Sequence, residues 1–249
     1  MILEVLLLSL LAASGTGIGG FLATVLFKPR ERIIDTLLGF TSGVMLSLIF
    51  FQLLAHSMDA IGLTTASVGF ILGVLIMLAI DYFLPHIHAK ISSRLGVGDN
   101  TRIRVGLLIA IGIAVHNIPE GLAIGVSYAS LPALGIFIAV AITIHNVPEG
   151  LATAVPLCAG GMCRSKACLM AFLSGLAEPA AALLSILLLG SVSTMILGLS
   201  LAFAAGAMFY ITGDELIPES HAHGYEHEAT IAMVVGLLLT MAISSIIGA

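Results

Sequence analysis

Val115-His116-Asn117-Ile118-Pro119-Glu120-Gly121-Leu122-Ala123 recurs further along the chain as Ile144-His145-Asn146-Val147-Pro148-Glu149-Gly150-Leu151-Ala152. Each copy lies near the middle of a long apolar stretch. A carboxylate at the centre of a bilayer costs roughly 2.5–3.5 kcal/mol on insertion scales, so two Glu, two His and two Asn at that depth are not explained by packing. On a helix the His at i and the Glu at i+4 share a face, with the Asn beside them. The Pro at i+3 has no N–H, so the carbonyl of Val115 or Ile144 loses its helical bond. The spacing therefore predicts a kink, with backbone oxygen turned toward a pathway, as in the broken helices of transporters. A third apolar stretch carries Gly175-Leu176-Ala177-Glu178-Pro179, again a carboxylate beside a proline.

Together these stretches offer three carboxylates, two imidazoles and two amides. That mixed oxygen and nitrogen set suits zinc and its first-row neighbours, without the thiolates that select copper(I). The candidate metal ligands are His116, Asn117, Glu120, His145, Asn146, Glu149 and Glu178. The plainer reading is a buried polar network that only pins helices together, and the repetition of the motif argues against it.

The surroundings decide the fold class. Of 249 residues, 59% are hydrophobic and only 9% charged, with a mean hydropathy of +1.16. A soluble domain averages roughly 25% charged residues, so a water-facing globule is excluded. A spanning helix needs about 20 mostly apolar residues, and the sequence holds several such runs and little else. We expect an all-α polytopic membrane protein, one transmembrane transporter domain over 1–249. Spans are expected near 2–27, 33–57, 62–84, 103–128, 132–157, 167–189, 193–213 and 229–247. The opening stretch resembles a signal peptide in length but lacks a basic start and a cleavage site, so it reads as the first span. With 27 Gly and no Trp, close helix approach is favoured over aromatic anchoring.

The nine basic residues sit in three connections: Lys28, Arg30 and Arg32 after span one, Lys90, Arg94, Arg102 and Arg104 after span three, Arg164 and Lys166 after span five. Eight spans put all three on one side, which the positive-inside rule makes cytoplasmic, with both termini outside. A different span count before residue 167 would scatter them over both faces.

Outside the repeat the signals are weaker. Residues 214–228 hold five acids and three histidines without a basic residue, either a solvated acidic loop or a low-affinity exit site. His56 and Asp59 at the outer end of span two could meet an incoming ion, or simply be solvated. His86 and His88, near Asp81, could be exit ligands or ordinary interfacial polarity. Cys158, Cys163 and Cys168 have neither an even count nor zinc-ribbon spacing and read as small interfacial residues.

The doubled HNxPEG motif, the third carboxylate and the span count resemble the ZIP family of metal transporters, especially its GufA-like branch, over the whole chain. The resemblance implies two inverted three-helix units around a central pair, spans four and five. It also implies inward movement of zinc, and often iron, manganese or cadmium, through a midplane site able to hold two ions. The metal is then the substrate, no organic cofactor is expected, and the membrane is a bacterial inner (plasma) membrane. Asp214-Glu215-Leu216-Ile217-Pro218 resembles the family's inner span-seven segment. The sequence departs from many members in lacking a long His-rich loop after span three, and in carrying His145 where some have Gln.

Two rivals come from other classes. An intramembrane metal-dependent hydrolase would use bound zinc to activate water, but the HExxH of such proteases does not occur. A metal sensor or storage protein fits poorly with ligands at mid-membrane and no soluble output domain. No GxxxxGK[ST] sequence is present, which argues against ATP-driven transport by this chain. Expected partners are divalent metal ions and membrane lipids, not nucleic acid, and a homodimer is compatible with the sequence.

Overall fold

A computed structural model describes residues 1–25, 30–94, 101–159, 161–189 and 193–247, with side chains described outside 84–106, 108, 109, 156, 159, 189 and 247. Among the described residues there are eight helices long and apolar enough to cross a membrane: spans one Ile2–Val25, two Glu31–Ile61, three Leu63–Phe83, four Ala110–Ser130, five Pro132–Val155, six Arg164–Leu188, seven Thr194–Ser220 and eight Glu226–Ile246. No strand occurs among them. The helix of span three continues to Arg94, and that of span four begins at Thr101.

Burial separates the helices into inner and outer. Span five is 72% buried over its apolar window and span four 67%, whereas spans three and eight are only 22% and 28% buried. Among the described residues the outer helices expose many large apolar side chains, Leu72, Leu75, Leu187 and Leu238 among them. On a soluble protein this would be an aggregating patch; in a bilayer it is the lipid face. The central packing, by contrast, joins Ile138 and Ile142 of span five and Ile124 of span four to Met45 and Leu48 of span two and Met208 of span seven.

The helices pair as one with five, four with six, two with eight and three with seven, while four packs on five and one on six. Exchanging one with six, two with seven, three with eight and four with five leaves this scheme unchanged, the signature of two inverted three-helix units about a central pair. Glycines let each partnership approach to backbone contact. A Cβ at Gly150 of span five would strike the carbonyl of Thr16, and one at Gly121 of span four that of Glu178. Likewise Gly43 would strike the carbonyl of Met233, and Gly206 that of Phe70. Without a hydrophobic force between helices in lipid, such close van der Waals seams are what holds them together.

Three details differ from the sequence expectation. Both motif helices run through Pro119 and Pro148 without interruption, and the irregularities fall elsewhere. Spans two and seven each contain a π-helical segment, Leu48–Leu54 and Thr212–Leu216, and span six breaks at Leu176. A mid-helix proline is tolerated here because spans four and five are enclosed by neighbours. Span seven also extends to Ser220, so Asp214 and Glu215 belong to a helix and not to a loop. The apolar run ends at Ile211, which is why hydropathy placed the boundary near residue 213.

Candidate metal centre

The seven side chains singled out from the sequence are all buried: His116 at 4%, Glu149 at 2%, Glu120 at 1%, and Asn117, His145, Asn146 and Glu178 at 0% exposure. Spans four and five bring three of them together. Ligand atoms of Glu120, His145 and Glu149 lie within 4.8 Å of one another. His145 Nε2 is 3.2 Å from Glu120 Oε1 and 3.2 Å from Glu149 Oε1. One ring nitrogen carries at most one proton, so it can donate to only one of these carboxylates. Two carboxylates and an imidazole converging away from water form a set of lone pairs that a divalent cation satisfies directly.

The asparagines are aimed by their amide nitrogens. Asn117 Nδ2 donates to the carbonyl of Ser174 at 3.0 Å. Asn146 Nδ2 donates to the carbonyl of Ala12 at 3.0 Å and to Glu178 Oε2 at 2.9 Å. With both nitrogens committed, Oδ1 of each is left buried without a protein partner, as are Glu120 Oε2, Glu149 Oε2 and Glu178 Oε1. A buried acceptor without a partner costs about 1–3 kcal/mol. Five of them around one pair of helices are acceptors only, the donor chemistry a cation needs. Glu178 enters from span six, two residues after the break at Leu176. The same break lies next to Ser174, whose carbonyl takes the Asn117 bond.

His116 is not part of the three-residue group. Its Nε2 faces Glu215 Oε1 of span seven at 3.0 Å. Glu215, with its side chain 41% exposed, links the closed cluster to open surroundings. Hydropathy left it in a loop, while the family resemblance set it in the inner segment of span seven, where it lies. A signal was there: an acid within three residues of a proline, as in the two motifs and span six, followed by the apolar pair Leu216-Ile217. Glu215 lies within the π-helical segment Thr212–Leu216, and π turns recur at functional sites.

The remaining candidates are placed apart. His56 Nδ1 is 2.8 Å from the carbonyl of Gln52 in its own helix, and Asp59 is exposed. Asp81 accepts a bond from Tyr210 Oη at 3.2 Å. The side chains of His86 and His88 lie outside the described residues, as do those of Lys90, Arg94, Arg102 and Arg104, while Lys28 lies outside them altogether. In the segment after span seven the histidines are occupied. His221 contacts Ser220, the Ile217 carbonyl and Thr230. His223 Nδ1 lies 2.8 Å from Asp35 Oδ1 of span two, and that hydrogen bond holds the imidazole above its usual pKa. Among the described residues, no second group of three metal-ligating side chains converges as the first does. The cysteines are free thiols, Cys163 exposed and the other two half-buried.

Residues 92–248 match the family model described as ZIP Zinc transporter. The chain is 40% identical to a protein of Chlorobium luteolum named zinc transporter ZupT, over 96% of each chain. It is 39% identical to the zinc transporter ZupT of Corynebacterium glutamicum, covering 95% of this chain and 96% of that one. It is 36% identical to the zinc transporter GufA of Myxococcus xanthus, over 98% of each.

Proposed function

The chain belongs to the ZIP zinc transporter family, and from that premise we propose that it moves zinc into the cytoplasm through a two-ion site built on spans four and five. The observation that carries this reading is the buried convergence of Glu120, His145 and Glu149 within 4.8 Å. The chain is an integral membrane protein of a transporter family, and its chemistry is binding and release of a cation without bond-making. The rival hydrolase would need a water-activating zinc with a substrate cleft, and no observation favours it.

In this reading Glu120 and Glu149 bridge the two ions. Each places one oxygen at His145 and keeps a second oxygen free. The first ion takes the imidazole side, with His145 and, once it leaves Glu215, His116. The second takes Asn117 Oδ1, Asn146 Oδ1 and Glu178. Seven side chains exceed the four ligands a single zinc usually takes, which favours two ions over one. His116 and half-exposed Glu215 then form the inward step, since they connect the enclosed group to open surroundings. Iron, manganese and cadmium share enough of this coordination chemistry to be carried as well. The transporter works as one transmembrane unit over 1–249, in a bacterial inner membrane, with both termini outside.

Counting ions on purified protein tests the site. Wild type at saturating zinc should hold two ions. Glu178→Gln should keep one tightly bound ion, lose the other, and slow uptake without abolishing it. One ion in the wild type, or two undiminished in the variant, would contradict the two-ion reading.

A further inference from the structure

The exchange of one unit for the other holds at the level of single side chains around the site. Asn117 of span four docks on the carbonyl of Ser174 in span six. Asn146 of span five docks on the carbonyl of Ala12 in span one. Gly121 abuts the carbonyl of Glu178, four residues beyond Ser174. Gly150 abuts the carbonyl of Thr16, four residues beyond Ala12. Thr16 therefore occupies in the first unit the position that Glu178 occupies in the second.

Its side chain has the properties of a site residue. Thr16 is 0% exposed, and its hydroxyl has no hydrogen-bond partner. Helical threonines normally bond the carbonyl three or four residues back. Thr24, Thr143, Thr153, Thr212 and Thr240 of this chain all do so. Thr16 does not. Helical side chains lean over the preceding turn, which places its hydroxyl over the turn where Asn146 is docked. On the far side it faces span six, where a Cβ at Gly175 would lie 3.1 Å from Thr16 Oγ1. Gly175 is one turn before Glu178, whose Oε1 is also buried without a partner.

We propose that Thr16 is a further ligand of the second ion. Its hydroxyl then completes an all-oxygen subsite with Asn117, Asn146 and Glu178. This inference rests on the two-ion reading above and deepens it. The hydroxyl offers a neutral lone pair where the opposite unit supplies a carboxylate, so the subsite gains a donor without a further charge. Its consequence is selectivity. Amide, hydroxyl and carboxylate oxygens favour harder ions such as manganese(II). The imidazole side, with His145, is better matched to zinc and cadmium. The two halves of one site thus differ in taste because one carries imidazole and the other only oxygen ligands.

The test is equilibrium dialysis of manganese(II), and separately of cadmium(II), against full-length protein in nanodiscs. Thr16→Val keeps the shape and removes the hydroxyl. It should weaken manganese binding about tenfold, the lower end of what losing a supporting group at a metal site costs, and leave the tight cadmium unchanged. Thr16→Ser, which keeps the hydroxyl, should bind like wild type. Wild-type manganese affinity in Thr16→Val, equal weakening in both variants, or loss of the tight cadmium ion together with manganese would each overturn the assignment. Should Thr16→Val not fold, zinc anomalous scattering from wild-type crystals decides: a metal–oxygen distance of about 2.0–2.2 Å to Thr16 Oγ1 is expected, and a separation beyond hydrogen-bond range contradicts it. Glu120→Gln serves as the control. If it leaves the tight cadmium ion intact, the two-ion reading fails, a result separate from any outcome at Thr16.

Discussion

Replacing Glu149 by glutamine removes one charge from the centre while preserving shape, and the order of stability between variant and wild type should reverse on going from metal-free to zinc-loaded protein. The carboxylate oxygens of Glu120 and Glu149 in the cluster lie at most 4.8 Å apart. Two unit charges at that separation repel by about 3.5 kcal/mol at an effective dielectric of 20. Protonating one of them relieves this at a smaller cost, so the metal-free wild type carries a penalty that the amide does not. Without metal, Glu149→Gln should therefore unfold at the same temperature as wild type or higher. With zinc the sign changes. A ligand at 100 times its Kd stabilises the folded state by about 2.7 kcal/mol, or roughly 5–10 °C for a chain of this size. Truncating one member of a desolvated charged contact costs about 2–5 kcal/mol, about thirtyfold or more in affinity, so most of that shift should vanish in the variant. Thermal unfolding in detergent, with chelator and with zinc, reads both numbers. A variant that is markedly less stable without metal yet shows the full wild-type zinc shift would refute the reasoning, because Glu149 would then be a packing residue.

Three further outcomes are expected. In a cysteine-free background, Ser130→Cys should react with an impermeant thiol reagent from outside intact cells and Ser93→Cys should not; the reverse labelling would overturn the topology and with it inward transport. His223, raised by its bond to Asp35, stabilises the contact fully at low pH, and the contribution is lost as pH rises from about 6.5 through the raised value. Hydrogen exchange around residues 221–225 should accordingly quicken with rising pH beyond the intrinsic rate increase in wild type and not in His223→Ala, and an equal excess in both would remove His223 from that contact. Gly43→Ala drives a methyl into the carbonyl of Met233 and should cost about 1–3 kcal/mol of stability by separating spans two and eight, so a variant as stable as wild type in denaturant would show that the seam tolerates spreading.

The spans and the core of the site were legible because polar residues are rare and costly in an apolar chain. His116, Asn117, Glu120 and their second copies stand out against Ile, Leu and Ala. What escaped the sequence is what depends on register and on partners. Glu215 follows the end of an apolar run, and it meets His116 from within the π-helical segment Thr212–Leu216. His116 itself looked equivalent to His145 by repetition, but the two units carry different side chains: Glu215 of span seven meets His116, whereas His145 lies between Glu120 and Glu149. Prolines suggested kinks in spans four and five; those helices stay continuous through Pro119 and Pro148, and the break falls at Leu176. Thr16 is a common residue in an apolar helix, and its significance lies in a missing back-bond and a symmetry that only coordinates reveal.

The central claim is that Glu120 and Glu149 together hold the transported ion. Radiolabelled zinc uptake into proteoliposomes tests it most directly, comparing wild type with Glu120→Ala and Glu149→Ala at equal amounts of folded, inserted protein. Uptake should be saturable in the wild type and nearly abolished in each variant. Near wild-type uptake by either variant would contradict the claim.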